Sequence, residues 1–444
     1  MDEEYDVIIL GTGLTECMLS GILAVEGKKV LHIDRNDFYG GECASLNLTQ
    51  LYQRFRNGAS PPEALGRDRD YNIDLIPKFL MEGEGLVKVL VYTDVVRYLE
   101  FNAIATSMVL CQGSIYKVPS TAAEALSSSL VGLLQKPRAR TFFNFLKNWK
   151  EDDPKTHEGL DLNRDTMAKV YSNFSLNDDT QEFIGHAMAL QLDDKYKARP
   201  ARETCDRVIM YANSAARAME GKRDSPYIYP LFGLGDLPQA FARLSAVYTG
   251  TFMLNTPVDE IVCSPEDGSF VGVRSGDQVA KAKIVIGDPS YFTSQVRKTG
   301  RVIRAICILR SPIPSAKADS AQIILPQRQT GREHDIYITC LSEAQKICPK
   351  GCWIASVSTI AETSGDPKNE IAAALKLLGP IEQIFVSDSD VFEPLSDGTK
   401  TNVFISRSYD ATSHFETVYE DVKDLYRRIT GKDLVLQKRP PTTE

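Results

Sequence analysis

The sequence predicts a mixed α/β fold in two parts. One is a larger two-sheet domain that opens on a Rossmann-type βαβ unit; the other is a smaller all-helical domain set into it. Three observations predict this. Residues 5–34, YDVIILGTGLTECMLSGILAVEGKKVLHID, read as strand, glycine-rich turn, helix, strand. Across 119–220 apolar residues recur at helical spacing. After 226, β-rich segments and turn residues resume. The expected division is 1–118 with 221–444 as the discontinuous larger domain, and 119–220 as the helical one.

In the first unit, residues 5–10 are apolar and β-rich, and Leu14, Cys17, Met18, Gly21, Ile22 and Val25 mark one helical face. Residues 29–34 are the second strand. Residues 56–70, rich in Arg, Gly, Pro and Asp, read as a surface loop, and 75–80 as a short extended segment. Residues 86–101 read as a helix with Leu90 or Val91, Val95 and Leu99 on one face, and 108–118 as a hairpin turning near Gln112 and Gly113. Thr121 and Glu124 match a capping box ahead of Leu126, Leu130, Val131, Leu133 and Leu134. An aromatic helix follows through Phe142, Phe143, Phe145, Leu146 and Trp149, then a shorter one over 167–174. Asn177 can cap the next, with Asp178 and Asp179 in the first turn, where acids suit the helix dipole. That helix carries Phe183, Ile184, Ala187, Met188 and Leu190; the last spans 203–219. Residues 221–226 read as a charged, flexible loop, and 227–251 hold a Gly-rich turn and a helix over 237–247. Further strands are expected at 253–262, 269–275, 284–286, 301–310, 321–326, 335–342 and 352–359, a helix at 368–378, and a disordered tail at 437–444.

Composition narrows the function. A hydrophobic content of 43% is ordinary for a soluble chain, and a net charge of −8 argues against general nucleic-acid binding. None of the nine cysteines forms a C-x-x-C pair, so they read as free thiols in a reducing compartment. No apolar run reaches membrane-span length, and the acidic start MDEEYDV enters a strand at once, unlike a signal peptide. A cytoplasmic location is expected.

The glycine-rich turn is where a dinucleotide would bind. Gly11 serves the tight turn and Gly13 the close approach of backbone to a pyrophosphate; the third slot needs a small residue but holds Glu16. A carboxylate there competes with phosphate for the helix N-terminus. Asp34 could meet a ribose hydroxyl, but beside Glu16 it reads as a strand-end residue bonding backbone or solvent. A Gly-Gly pair after the second strand, Gly40 and Gly41, is followed by Glu42 where a flavoprotein would carry a base. At ~4 Å such like charges cost on the order of 1–4 kcal/mol. The chain therefore reads as a flavoprotein-like scaffold with its cofactor site closed and no cofactor.

Other chemistry is sparse. The five histidines lack metal-ligand spacing, and His32 and His186 read as satisfied core residues. No nucleophile elbow or Walker loop occurs. Asp388 and Asp390 in FVSDSDVFEP are too few for a calcium loop, and a solvated turn is the better reading.

Residues 11–45, with GRDRDYNIDLIPKFL (66–80), IYKVPST (115–121), SPYIYPLFGLGDLPQAFARLSAVYTGTFMLN (225–255) and SYDATSHFET (408–417), resemble the Rab GDP-dissociation inhibitor and Rab escort protein family over nearly the whole chain. The length suits an inhibitor. The resemblance implies a monomeric, non-enzymatic partner of GDP-bound prenylated Rab GTPases. Such a protein slows GDP release, extracts Rabs from membranes in transient contact, and returns them. It implies a Rab-binding platform of Tyr39, Asp236, Gln239, Arg243, Thr251 and Met253, with Arg67 and Arg69 as further contacts; Asp236 stands where Glu is expected. It implies a groove for the Rab tail on Tyr92, Val95, Val96 and Leu99. It also implies a geranylgeranyl pocket in the helical domain, around Phe183, Ala187, Met188, Ala212 and Ala215. The loop 221–226 matches a segment thought to meet membrane-side factors, and is a few residues longer than usual. The alternatives are a yellow, FAD-dependent oxidoreductase of the amine-oxidase type and an escort subunit for Rab geranylgeranylation.

Overall fold

The computed structural model describes residues 4–119, 124, 130, 132, 135–221 and 223–436. The expected capped helix at 121–134, apart from those three single residues, and the tail at 437–444 lie outside the described residues.

The N-terminal unit forms as the sequence predicts. Strand β1 (Glu4–Leu10), helix α1 (Leu14–Val25) and strand β2 (Val30–Ile33) are almost wholly buried, and β1 runs parallel to β2 with Val7 opposite Val30. Around them lies one sheet, in the order Thr251–Met253, β2, β1, Gln278–Gly287, Phe270–Ser275, Glu260–Cys263, with Val403–Ile405 also pairing Gln278–Gly287. The second sheet runs Gln383–Pro394, Val296–Leu309, Trp353–Ile360, Ile336–Ser342, Ala321–Leu325, Thr106–Cys111, Ser114–Lys117. The hairpin closing it turns at Gln112 and Gly113, both with positive φ, as expected. From Lys136 to Glu220 the described residues form helices and turns with no strand. Asn177 caps Asp178–Glu182 by accepting from Thr180 N at 3.1 Å.

Several expectations are corrected. The helix over 86–101 stops early: Gly85–Tyr92 is helical, Val95–Tyr98 is a separate 3-10 turn, and Phe101–Ala103 is a strand against Tyr227–Pro230. The Thr93 hydroxyl donates to Val89 O at 2.7 Å and Asp94 turns left-handed at φ 60°. A short polar side chain tolerates that conformation, and it ends the helix. The segment 75–80 contributes only its end, to the strand Leu80–Met81. The strand expected over 253–262 is two, Thr251–Met253 and Glu260–Cys263, and the helix over 368–378 divides at Ile371.

The acidic stretch read as a turn, FVSDSDVFEP, lies in a twelve-residue edge strand, Gln383–Pro394. Its acids pair across the ladder: Lys298 Nζ lies 2.6 Å from Asp390, Arg297 3.5 Å from Glu393, and Arg301 meets Asp388. Charged side chains also protect an edge from unwanted pairing. Three α-helices lacked any sequence expectation, Leu48–Phe55, the single turn Gln327–Thr330 and Glu416–Thr430.

His186 is not a neutral core residue. It sits in a π-helical turn, Phe183–Met188, with Nδ1 2.7 Å from Asp335 and Nε2 3.3 Å from Asp194. Burial opposes its charge, yet the two carboxylates hold its pKa up at about 10. The same helix bonds Arg328 through Asp179 and Glu182. These ion pairs fasten the helical layer to the second sheet. His32 matches its expectation in part: it is buried and neutral, its pKa lowered to about 4 by burial, but only Nε2 is satisfied and Nδ1 has no hydrogen-bond partner among the described residues.

Candidate functional site

The glycine-rich turn keeps its shape but two of its N–H donors, on Thr12 and Leu14, are spent internally. Gly11 has φ +90°, and a Cβ there would lie 2.5 Å from the Asp288 carboxylate. Thr12 N and Oγ1 both donate to Asp34, at 2.7 and 2.6 Å, and Leu14 N donates to the Tyr409 hydroxyl at 3.0 Å. Asp34 also accepts from Asn36 N at 2.8 Å, so it serves the loop itself, as the sequence reading expects. Glu16 is buried, accepting from Ser406 Oγ at 2.6 Å. Burial, then the neighbouring Asp288, raises its pKa to about 8. A cleft of about 350 Å³ remains, lined in part by Glu16, Asp34, Glu42 and Asp288. Its charges are mixed, five carboxyls with Asp390 counted against Arg35, Arg54 and Arg407, and what works against a bound diphosphate is that the Thr12 and Leu14 N–H groups already have acceptors.

Glu16 gives a test of this geometry. Its folded pKa, about 8, lies above the usual 4.5, so the folded protein holds a proton that the unfolded chain releases. The stability this contributes is complete below pH 4.5 and is lost as pH rises towards 8. Glu16→Gln removes the titration. We expect equal stability of variant and parent at pH 4.5, and a variant more stable by about 1–3 kcal/mol at pH 8.5, read from urea midpoints. Parallel pH profiles would refute the buried carboxyl.

A second cleft lies beside this loop. Two hollows, about 500 and 330 Å³, share Tyr39, Asp236 and Gln239 on their walls. The helix Asp236–Val247 places Asp236, Gln239 and Arg243 along one side. Asp236 sits in the first turn, where the dipole favours an acid, and burial raises its pKa. The turn before this helix is organised by Asp74, which accepts from Ser45 Oγ, Tyr229 OH and Leu234 N at 2.5, 2.5 and 2.8 Å. Opposite, the Tyr39 ring lies 5.9 Å from Phe252, which stacks on His32 at 4.6 Å; His32 Nε2 donates to Gly11 O at 2.6 Å. The βαβ loop thus supports this cleft.

The expected platform residues divide. Tyr39, Asp236, Gln239 and Arg243 meet in the cleft. On the edge strand it is Phe252 that lines the wall; Thr251 is exposed and Met253 packs against the core on the other face. Arg67 and Arg69 are exposed on a short turn, Arg67 forking onto Asp70 at 2.9 and 3.1 Å. The tail-groove residues do not form one face: Val95 is buried, Tyr92 and Leu99 half-buried, and Val96 exposed, because the helix breaks between them. The loop 221–226 is tied by Arg223 to Glu82 at 2.5 Å and by Asp224 to Lys117 at 3.2 Å.

The helical layer holds a third cavity, about 380 Å³ and mostly apolar, between Lys136–Asn148, the π turn and Arg202–Glu220. Phe183, Met188 and Ala212 line it, with Phe143, Leu146 and Val208. Ala187 and Ala215, expected there, are buried behind its wall. The π turn puts Phe183 and Met188 on the cavity. Gly185 permits it, since a Cβ would overlap the Tyr196 hydroxyl.

A family model described as "GDI: GDP dissociation inhibitor" matches residues 1–441. The chain belongs to the GDP dissociation inhibitor family. Among the relatives of this family member is a Schizosaccharomyces pombe protein named "Probable secretory pathway GDP dissociation inhibitor 1", 59% identical, with 99% of each chain covered. The Saccharomyces cerevisiae "Rab GDP-dissociation inhibitor" is 52% identical over 99% of this chain and 98% of its own. A crystal structure of Rab GDI from Plasmodium falciparum superposes with a TM-score of 0.92 at 43% identity, covering 98% of this chain and 100% of that one. An oxidoreductase from Methanosarcina mazei shares the fold, with a TM-score of 0.57 at 12% identity, covering 96% and 100%. The mixed α/β, flavoprotein-like architecture is thereby borne out, and the oxidase and escort alternatives are not favoured. Among the described residues no helix is long and apolar enough to cross a membrane.

Within this family member, sequence reasoning missed Tyr98, Phe252 and Asp74. Phe252 had a signal, since strand alternation sets it opposite Thr251 and Met253. Tyr98 and Asp74 had none; their partners are far along the chain.

Proposed function

We propose that the protein is a Rab GDP-dissociation inhibitor that works by binding, without catalysis, through two separate surfaces. The cleft of Tyr39, Asp236, Gln239 and Arg243 takes the GTPase in its GDP state, with the exposed Arg67 and Arg69 as further contacts. The apolar cavity takes its geranylgeranyl lipid. Favouring the GDP state by differential affinity stabilises it by mass action and so slows GDP release. The lipid needs a second slot because each CH₂ moved from bilayer to water costs ~0.8 kcal/mol. A protein offering both surfaces can shuttle a Rab between membrane and cytoplasm as a monomer.

The observation that supports this reading best is that one chain of this family presents an open polar–aromatic cleft and an apolar cavity of about 380 Å³. Liposomes carrying prenylated Rab test it. We expect extraction of the GDP form well above the GTP form, and a loss of roughly tenfold or more in affinity for Arg243→Ala, an exposed charge whose removal leaves the fold intact. Equal extraction in both nucleotide states would defeat the proposal.

A further inference from the structure

We propose that Tyr98 is a positioning residue that holds Arg243 ready for the GTPase, an inference that rests on the platform reading above. The Arg243 guanidinium lies over the Tyr98 ring, 4.4 Å from its centroid. Arg243 is exposed on the helix Asp236–Val247, and among the described residues no carboxylate pairs with it. A free arginine samples many rotamers, and freezing it on binding costs entropy. A ring beneath the guanidinium removes part of that cost and leaves the N–H edges of the fork turned outward.

The ring itself is fixed. Tyr98 ends the 3-10 turn Val95–Tyr98, whose Val95 is fully buried. Its hydroxyl accepts from Arg97 Nη2 at 3.0 Å, and Arg97 Nη1 is in turn 3.1 Å from Asp94. Arg97 is therefore spent on its own turn, whereas Arg243 comes from another helix and keeps its donors. Tyr98 also shares its turn with Val96 and adjoins Leu99, both on the expected path of the Rab tail. The turn thus joins that path to the platform.

The test measures affinity of the full-length protein for an unprenylated, GDP-loaded Rab. We expect Tyr98→Leu to weaken binding about threefold to tenfold, and Tyr98→Phe, which keeps the ring, to stay within about twofold of the parent. In an Arg243→Ala background Tyr98→Leu should add nothing, since the ring acts through the arginine. A full loss from Tyr98→Leu in that background, or equal losses from Leu and Phe, would overturn the inference and leave the platform standing. No effect of Arg243→Ala itself would overturn both.

Discussion

Replacing Ala212 with tryptophan will abolish extraction of prenylated Rab while leaving affinity for the unprenylated GTPase within about twofold. Ala212 lies on the cavity side of the helix Arg202–Glu220 and is exposed there, so an indole has room to project without displacing a packed side chain. The space it would enter is the apolar cavity of about 380 Å³, walled by Phe143, Phe183 and Met188. A geranylgeranyl chain carries roughly 20 carbons at ~0.8 kcal/mol per CH₂, so losing even a few methylenes of shelter removes several kcal/mol. That corresponds to roughly a hundredfold or more in extraction. The platform cleft is lined by other elements and keeps its geometry. Extraction at parental efficiency by Ala212→Trp, with unchanged urea stability, would show that the lipid lies elsewhere.

The largest stability loss is expected at Lys78. Its side chain is fully buried, and Nζ donates to Asp410 Oδ1, Thr412 O, Thr412 Oγ1 and His414 O at 2.6, 2.7, 2.9 and 3.3 Å. Burial works against a charge on Asp410, but Lys78 outweighs it and holds that carboxyl well below the usual range. This one ammonium pins the loop that also sends Tyr409 to the Leu14 amide and receives Arg304 on the carbonyls of Tyr409 and Asp410. Lys78→Met removes the three N–H donors shared among these four acceptors and strands the carboxylate. The expected cost is about 3–5 kcal/mol, a large part of a typical folding free energy. Asp410→Asn in the same chain should return part of it, because the unpaired charge is then gone. A urea midpoint that barely moves in Lys78→Met would mean the loop is held by other contacts.

The contrast between legible and illegible features follows sequence distance. The Asn177 cap and the Gln112–Gly113 turn depend on neighbours a few residues apart, and the βαβ unit lies within one stretch of about thirty residues; each was readable. The helix Leu48–Phe55 could have been found the same way, since Asn47 and Gln50 form a capping box. The strand at 383–394 was hidden because its acids are satisfied by Arg and Lys from Val296–Leu309, so it carries no apolar alternation. The break after Tyr92 was hidden because an apolar rhythm continues through Val95 and Leu99 while a single threonine hydroxyl takes a helical carbonyl.

By itself the sequence determined the fold class and the family, because each is written in contiguous residues whose spacing has one physical meaning. Tertiary structure alone decided that His186 is a charged bridge to Asp335 and that Tyr98 lies under Arg243. Those pairings join residues from well over a hundred positions apart. Their energy comes from burial and charge at close range, and only the folded chain brings them within reach.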